Sequence, residues 1–171
     1  MVEKRLSHFG IGPVIAVPSL AYTIAALFAG SRWPGTFILD WVPQIIRGIG
    51  GILMIVGLAL WLAAIPTVMR AYNRDQLVTS GAYALVRHPM YAGWIALAFP
   101  GFALVMRSWP MLVTPLIAYA IFKRMIYRED KYLEQRFGQP YLEYRQCVNE
   151  VVPVPRFWRK RVRTKAAGAG R

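Results

Sequence analysis

Two polar clusters interrupt a chain that is otherwise mostly apolar: Arg87-His88-Pro89 and Arg128-Glu129-Asp130. An imidazole and a pair of carboxylates are groups that can orient a cationic ligand or move a proton. Each cluster also has an ordinary account of its own. Arginine and histidine at a bilayer edge snorkel to headgroups, and acids in a basic helix neutralise neighbours at i,i+3 and i,i+4. Together, on one membrane face beside an apolar hairpin, the two clusters could enclose a ligand with a cationic polar head. Ionisable groups at the edge of a membrane are functional candidates by default.

The elements that must position these groups are read from where charge is missing. Residues 9–31, 48–69, 89–106 and 108–122 contain no Lys, Arg, Asp or Glu. A helix needs about 20 residues to cross a hydrocarbon core of about 30 Å. The first two stretches meet that length. The last two are shorter and read as a tight hairpin broken at Arg107-Ser108-Trp109-Pro110. Each stretch carries a proline (Pro18, Pro66, Pro100, Pro115), either a packing kink or the bent wall of a ligand cavity. Gly48-Ile49-Gly50-Gly51 has no preceding strand and lacks dinucleotide-binding spacing, so it reads as small residues for close helix packing.

The expected fold is all-α and membrane-embedded: four transmembrane helices, the last two a hairpin, followed by a C-terminal helical segment. Residues 1–122 form the bundle, including a polar loop at 70–91 with a turn at Thr79-Ser80-Gly81. Residues 123–155 are helical and cytosolic. Within them 123–137 is amphipathic, with Ile126, Leu133 and Phe137 on its apolar side and Gly138-x-Pro140 as its stop. Residues 156–171 form a basic tail, expected to be disordered.

The net charge of +13 suggests phosphate binding, but its distribution points elsewhere. Residues 123–171 carry +8, whereas the segment between the first two spans and the hairpin turn together carry +2. Basic and poor loops alternate, which places both termini and the 70–91 loop in the cytosol. Anionic lipid is the expected partner of the tail, and no nucleic acid is expected. The single cysteine, Cys147, excludes an intrachain disulfide and a Cys-based metal site, so no metal is expected.

The segment Leu77-Val78-Thr79-Ser80-Gly81-Ala82-Tyr83, followed by Arg87-His88-Pro89-Met90-Tyr91-Ala92-Gly93-Trp94, resembles the signature of the isoprenylcysteine carboxyl methyltransferases. So does the later block Glu129-Asp130-x-x-Leu133-x-x-x-Phe137-Gly138-x-x-Tyr141-x-x-Tyr144, closed by Val152-Pro153. The resemblance spans about residues 70–155. It implies a methyltransferase that uses S-adenosyl-L-methionine, with the cofactor in a cytosolic pocket. Carried over by position, the cofactor contacts fall on Asp75, Gln76, Leu77, Val78, Tyr83, His88, Pro89, Met90, Tyr91 and Glu129.

Two positions depart from that pattern. Asp130 stands where a second glutamate is common, and Met125 stands where the family places a substrate arginine four residues before the first acid. Arg124 and Arg128 flank Met125, about 100° and 60° away around a helix, and either is a candidate to orient an acceptor carboxylate. The candidate catalytic set is therefore His88, Tyr91, Arg124 and Arg128. The acceptor implied is lipophilic and enters from the bilayer: a prenylcysteine-type carboxylate, or alternatively a phospholipid amine or a small thiol. The last two must lose a proton, for which His88, Tyr91 and Glu129 are the available groups. A non-catalytic membrane scaffold or assembly factor is the competing class. A bacterial plasma membrane is expected rather than the endoplasmic reticulum.

Overall fold

The protein, described by a computed structural model over residues 11–74 and 76–153, is all-helical there apart from one isolated bridge between Ile38 and Ser108. Asp75 and the expected basic tail at 156–171 lie outside the described residues. Three helices are long and apolar enough to cross a membrane: Gly12–Arg32 (α1), Gln44–Ala71 and Pro89–Met106. The short helix Pro34–Phe37 (α2) connects the first to α3, which runs Gln44–Arg74. The third span is composite, with α4 (Pro89–Ala92), a π turn (Gly93–Ala98) and α5 (Phe99–Met106). After the break at residues 107–112 come α6 (Val113–Phe137) and α7 (Gln139–Cys147).

On α1 and α3 most of the large apolar residues point outward and small ones inward, the reverse of a soluble domain. On α1, Val17, Ile24 and Phe28 are exposed, whereas Ile15, Ser19, Thr23, Ala26 and Gly30 form a buried stripe. That stripe meets α6, where Thr23 Oγ1 lies 3.3 Å from Thr114 Oγ1. Lipid offers no hydrophobic drive for helix association, so small residues that admit close contact and shared hydrogen bonds take over.

The crossing of α3 with the third span is closer still. A methyl group placed on Gly57 would lie 2.5 Å from the Gly93 carbonyl oxygen, and one on Gly50 would lie 2.7 Å from that of Gly101. Of the glycine run at 48–51, only Gly50 makes such a contact; Gly48 and Gly51 face open space. Gly50 and Gly57 are seven residues apart, but Gly93 and Gly101 are eight apart. Eight residues of α-helix would overshoot two turns by about 80°. The wider π turn takes up the extra residue, so both glycines face α3. It ends two residues before Pro100, which has no N–H to donate and whose ring would clash with a carbonyl four residues back in an α-helix.

The helix α6 is one rod of 25 residues. Pro115 sits in its first turn, where no donor is needed, and neither glycine nor proline follows until Gly138. The boundary expected between residues 122 and 123 therefore falls inside a continuous helix. The helix stops at Gly138, whose φ of 60° suits a residue without a side chain, and the chain reverses into α7.

A buried ion pair fastens α6 and α7 to the third span. Arg87 Nη1 donates to both oxygens of Asp130, at 2.9 and 3.1 Å, and Arg87 Nε donates to the Val148 carbonyl at 3.0 Å. The Tyr141 hydroxyl also donates to Asp130. Arg87 and Asp130 are only 7% and 3% exposed. Burial by itself raises the Asp130 pKa, but the His88 imidazole, the Tyr141 hydroxyl and the Arg87 charge outweigh it. They hold the carboxyl well below its usual range.

Two outcomes follow from this packing. In detergent, Gly57→Ala should lower the melting temperature by several degrees, an overpacking cost of about 1–3 kcal/mol, whereas Gly51→Ala should not. Thermal unfolding of the two variants side by side reads the difference. Because folding depresses the Asp130 pKa, its stabilisation is full above the ordinary carboxylate value of about 3.9 and fades as pH falls below it. Asp130→Asn should cost about 3–5 kcal/mol at neutral pH and flatten the acid limb of melting temperature against pH.

Candidate active site

The helices α3 and α6 share few contacts: α3 packs on the third span, and α6 on α1, the third span and α7. The gap between them is a cavity of about 340 Å³, within the range of small-ligand sites. One wall is the α3 face Trp61, Ile65, Val68 and Met69, which brackets Pro66. The opposite wall is the α6 face Glu129, Tyr132, Leu133, Arg136 and Phe137, spaced i, i+3, i+4, i+7 and i+8. His88, Met90 and Tyr91 form the floor, and Tyr141 and Tyr144 of α7 close one side. Gln76, Leu77, Val78 and Tyr83 complete the rim.

The two polar clusters meet here. His88 Nδ1 lies 3.6 Å from Glu129 Oε1, and the Tyr91 hydroxyl donates to Glu129 Oε2 at 3.2 Å. The imidazole is positioned from several directions. Its backbone N–H donates to the Glu150 carbonyl at 3.0 Å, and its ring packs against Tyr91 and edge-on against Phe122. His88 Nε2 is 3.6 Å from Asp130 Oδ1, close enough for electrostatic attraction but longer than a hydrogen bond, and is buried without a hydrogen-bond partner. Buried polar atoms are seldom left so, and this one belongs to a residue of the cavity floor.

The adjacent carboxylates divide their tasks because they project about 100° apart around α6. Asp130 turns to Arg87 and the protein interior; Glu129 turns to the cavity. Three tyrosine hydroxyls near them remain protonated at neutral pH. Burial, and then the Glu129 charge, raise the Tyr83 pKa well above its normal value. Burial and the hydrogen bond to Asp130 do the same for Tyr141, and burial pushes Tyr144 up to about 12. The Tyr144 hydroxyl donates to the Tyr83 carbonyl at 2.7 Å, tying α7 to the loop. The site thus offers one carboxylate, an imidazole and neutral hydroxyls against an otherwise apolar wall, a donor set suited to a ligand with a cationic end.

Of the residues expected from the sequence, Gln76, Leu77, Val78, Tyr83, His88, Met90, Tyr91 and Glu129 line this cavity. Pro89 is buried at the start of α4 and does not line it. Asp75 lies outside the described residues. Arg124 and Arg128 do not join the others. They are exposed, about 140° and 100° around α6 from Glu129, so the helical phase turns both away from the cavity. Met125 is half-buried against the apolar core. The α3 wall, Tyr132 and Arg136 were not anticipated. Trp61, Ile65, Val68 and Met69 share one helical face by their i, i+4, i+7, i+8 spacing, but in a helix apolar all round that spacing does not single them out.

Known proteins similar to this chain share one family. The isoprenylcysteine carboxyl methyltransferase (ICMT) family matches residues 50–135, half of the chain. Human protein-S-isoprenylcysteine O-methyltransferase is 31% identical over 159 residues, covering 79% of this chain and 52% of the human protein. Protein-S-isoprenylcysteine O-methyltransferase B of Arabidopsis thaliana is 28% identical over 155 residues, covering 85% of this chain and 74% of that protein. A solved structure of the eukaryotic intramembrane Ras methyltransferase ICMT superposes with a TM-score of 0.60 at 23% identity, over 89% of this chain and 54% of the other. Against relatives from Dictyostelium discoideum and Tribolium castaneum, the chain spans about half of their length. The matched region runs from the Gly50 contact through the loop and third span to the Glu129 face of α6, and with it the chain belongs to the isoprenylcysteine carboxyl methyltransferase family.

Proposed function

We propose that the protein is an S-adenosyl-L-methionine-dependent methyltransferase acting on a lipophilic, prenylcysteine-type carboxylate at the cytosolic face of a membrane. The observation that carries this reading is the convergence of His88, Tyr91 and Glu129, from two separate sequence blocks, on one cavity. Family membership supports the reaction class. The cavity fits the cofactor in chemical terms: a carboxylate for a cationic amino-acid end, neutral hydroxyls and the 76–78 backbone for a nucleoside, and an apolar wall.

When bound, the cofactor supplies a methyl group on a sulfonium whose leaving group needs no acid. The chain's own part is to bind, align and exclude water. The Glu129 carboxylate, held by the Tyr91 hydroxyl, offers charge-assisted contact to a cationic end. Trp61, Ile65, Val68 and Met69 provide a greasy wall along which a lipid tail can lie. An acceptor carboxylate is ionised at neutral pH and needs no general base, in keeping with a site whose nearby hydroxyls are held protonated. Proximity and orientation of this kind are worth up to about 7–11 kcal/mol.

We further read the fold as four spans, with the apolar half of α6 crossing the bilayer in a hairpin with α5 and with both termini cytosolic. The alternation of Lys/Arg-rich and Lys/Arg-poor loops supports this orientation, as it does an anionic-lipid role for the tail. The relatives compared are eukaryotic, which lends no support to a bacterial plasma membrane.

Glu129→Gln, which keeps shape and removes charge, should abolish S-adenosyl-L-methionine binding while leaving the melting temperature in detergent near that of wild type. Calorimetry showing wild-type affinity in the variant would overturn the assignment. Cys147 is the one cysteine of the chain and is exposed at the end of α7. In sealed right-side-out vesicles a membrane-impermeant maleimide should label it only after permeabilisation; labelling of intact vesicles would reverse the orientation.

A further inference from the structure

Trp61 is the only aromatic residue in the charge-free stretch 48–69. A tryptophan of the ordinary interfacial belt sits at the end of a span. Trp61 instead lies eight residues, about 12 Å, inside the Met69 end of that stretch. Of the α3 residues that line the cavity, it is the one deepest in the span. One turn further in, the glycine crossing closes the seam between α3 and the third span. A methyl group on Gly93 would lie 2.6 Å from the Gly57 carbonyl oxygen and 3.5 Å from the Trp61 backbone nitrogen. Helical side chains lean toward the N-terminus of their helix, so the indole leans toward this crossing. There it meets Trp94 edge to face, with ring centres 5.9 Å apart and planes at 71°.

Trp94 stands on the other side of the boundary. It does not line the cavity, is 36% exposed, and is backed by the buried ring of Phe99 at 5.5 Å. The two indoles therefore make one continuous aromatic surface, half-buried at Trp61 inside the cavity and open at Trp94 outside it. The helices α3 and α6 share few contacts, so their packing does not seal the cavity from the hydrocarbon on that side. Carbon atoms that stay in lipid gain little on binding, because lipid is as apolar as a protein side chain. Only the part of a tail that crosses the indoles exchanges fluid lipid for a shaped wall.

We propose that the Trp61–Trp94 pair is the threshold over which the acceptor's apolar tail passes from the cavity into the bilayer. It selects a branched, unsaturated tail by the units nearest the reacting acid, and not by total length. The inference rests on the methyltransferase reading above and names the residues that would set its tail specificity.

The test uses the full chain in lipid vesicles, as wild type, Trp61→Leu, Trp61→Phe and Trp94→Leu. Three N-acetylated cysteine thioethers serve as acceptors, with KM expressed as mole fraction in the lipid. One carries a farnesyl tail, one a geranylgeranyl tail, and one a linear saturated tail with the farnesyl carbon count. Calorimetry in detergent reads S-adenosyl-L-methionine affinity for each variant. In the wild type the two prenyl acceptors should share one KM, below that of the linear one. Losing part of the indole contact in Trp61→Leu should raise the prenyl KM roughly three- to tenfold and remove the preference over the linear tail. Trp94→Leu should act in the same sense but less, Trp61→Phe should recover part of the loss, and cofactor affinity should hold throughout. An unchanged prenyl KM in Trp61→Leu, or cofactor affinity lost alongside it, would overturn the proposal. So would a wild-type preference for one prenyl length that Trp61→Leu abolishes, since that is the mark of an end stop. Failure of the wild type itself to bind cofactor, or to methylate any of the three acceptors, would instead overturn the methyltransferase reading, and this inference with it.

Discussion

A guanidinium and a carboxylate taken out of water cost several kcal/mol each unless they find one another, and in this protein that requirement ties the third span to α6 and α7. Arg87 immediately precedes His88, and Asp130 immediately follows Glu129. When the buried pair closes, the two residues beside it are carried to the cavity at 3.6 Å from each other. Tyr141 joins the pair from α7, and the Val148 carbonyl joins it from the segment beyond. One structural contact thus sets the position of three elements around the site. The groups that face the cavity need not attract one another strongly to stay in place.

The cavity exists because the bundle is packed unevenly. Glycines draw α3 onto the third span, and the Ser19-Thr23-Ala26-Gly30 stripe draws α1 onto α6. Each of the outer helices has a close partner, and neither partner is the other outer helix. The space left between α3 and α6 is floored by the third span and closed at one side by α7. Its composition follows from its position. The α3 wall is drawn from a stretch whose side chains otherwise face lipid, whereas the α6 wall comes from the part of that helix beyond its apolar half.

Much of this was legible in the sequence, for identifiable reasons. Charge-free stretches mark helices because charges are expelled from hydrocarbon, and Gly138 and Thr79-Ser80-Gly81 mark reversals because few other residues allow them. The meeting of His88 with Glu129 was also anticipated, from two motif blocks in the right order. The division of labour between Glu129 and Asp130 was not, since neighbouring acids look alike until the helical phase is fixed by a partner. Arg124 and Arg128 were attractive by nearness to Met125, yet phase sends them outward and brings Arg136 in. The α3 wall was hidden for a different reason: in a helix apolar all round, a cavity-facing stripe and a lipid-facing one are written with the same residues.

The π turn at Gly93–Ala98 gives the third span a counted length. Its far end is indexed by Gly101 against Gly50, and its near end carries the imidazole and the Tyr91 phenol. Winding the same eight-residue interval as ordinary α-helix would still leave an apolar membrane helix. Yet the near end would then be rotated by roughly a quarter turn relative to the glycine seam. Hydropathy would be indifferent to such a rewinding, and the chemistry would not. The odd residue and the wide turn therefore belong together, and lineages that keep the site are expected to keep both or to lose both, since seven residues of plain α-helix restore the same phase.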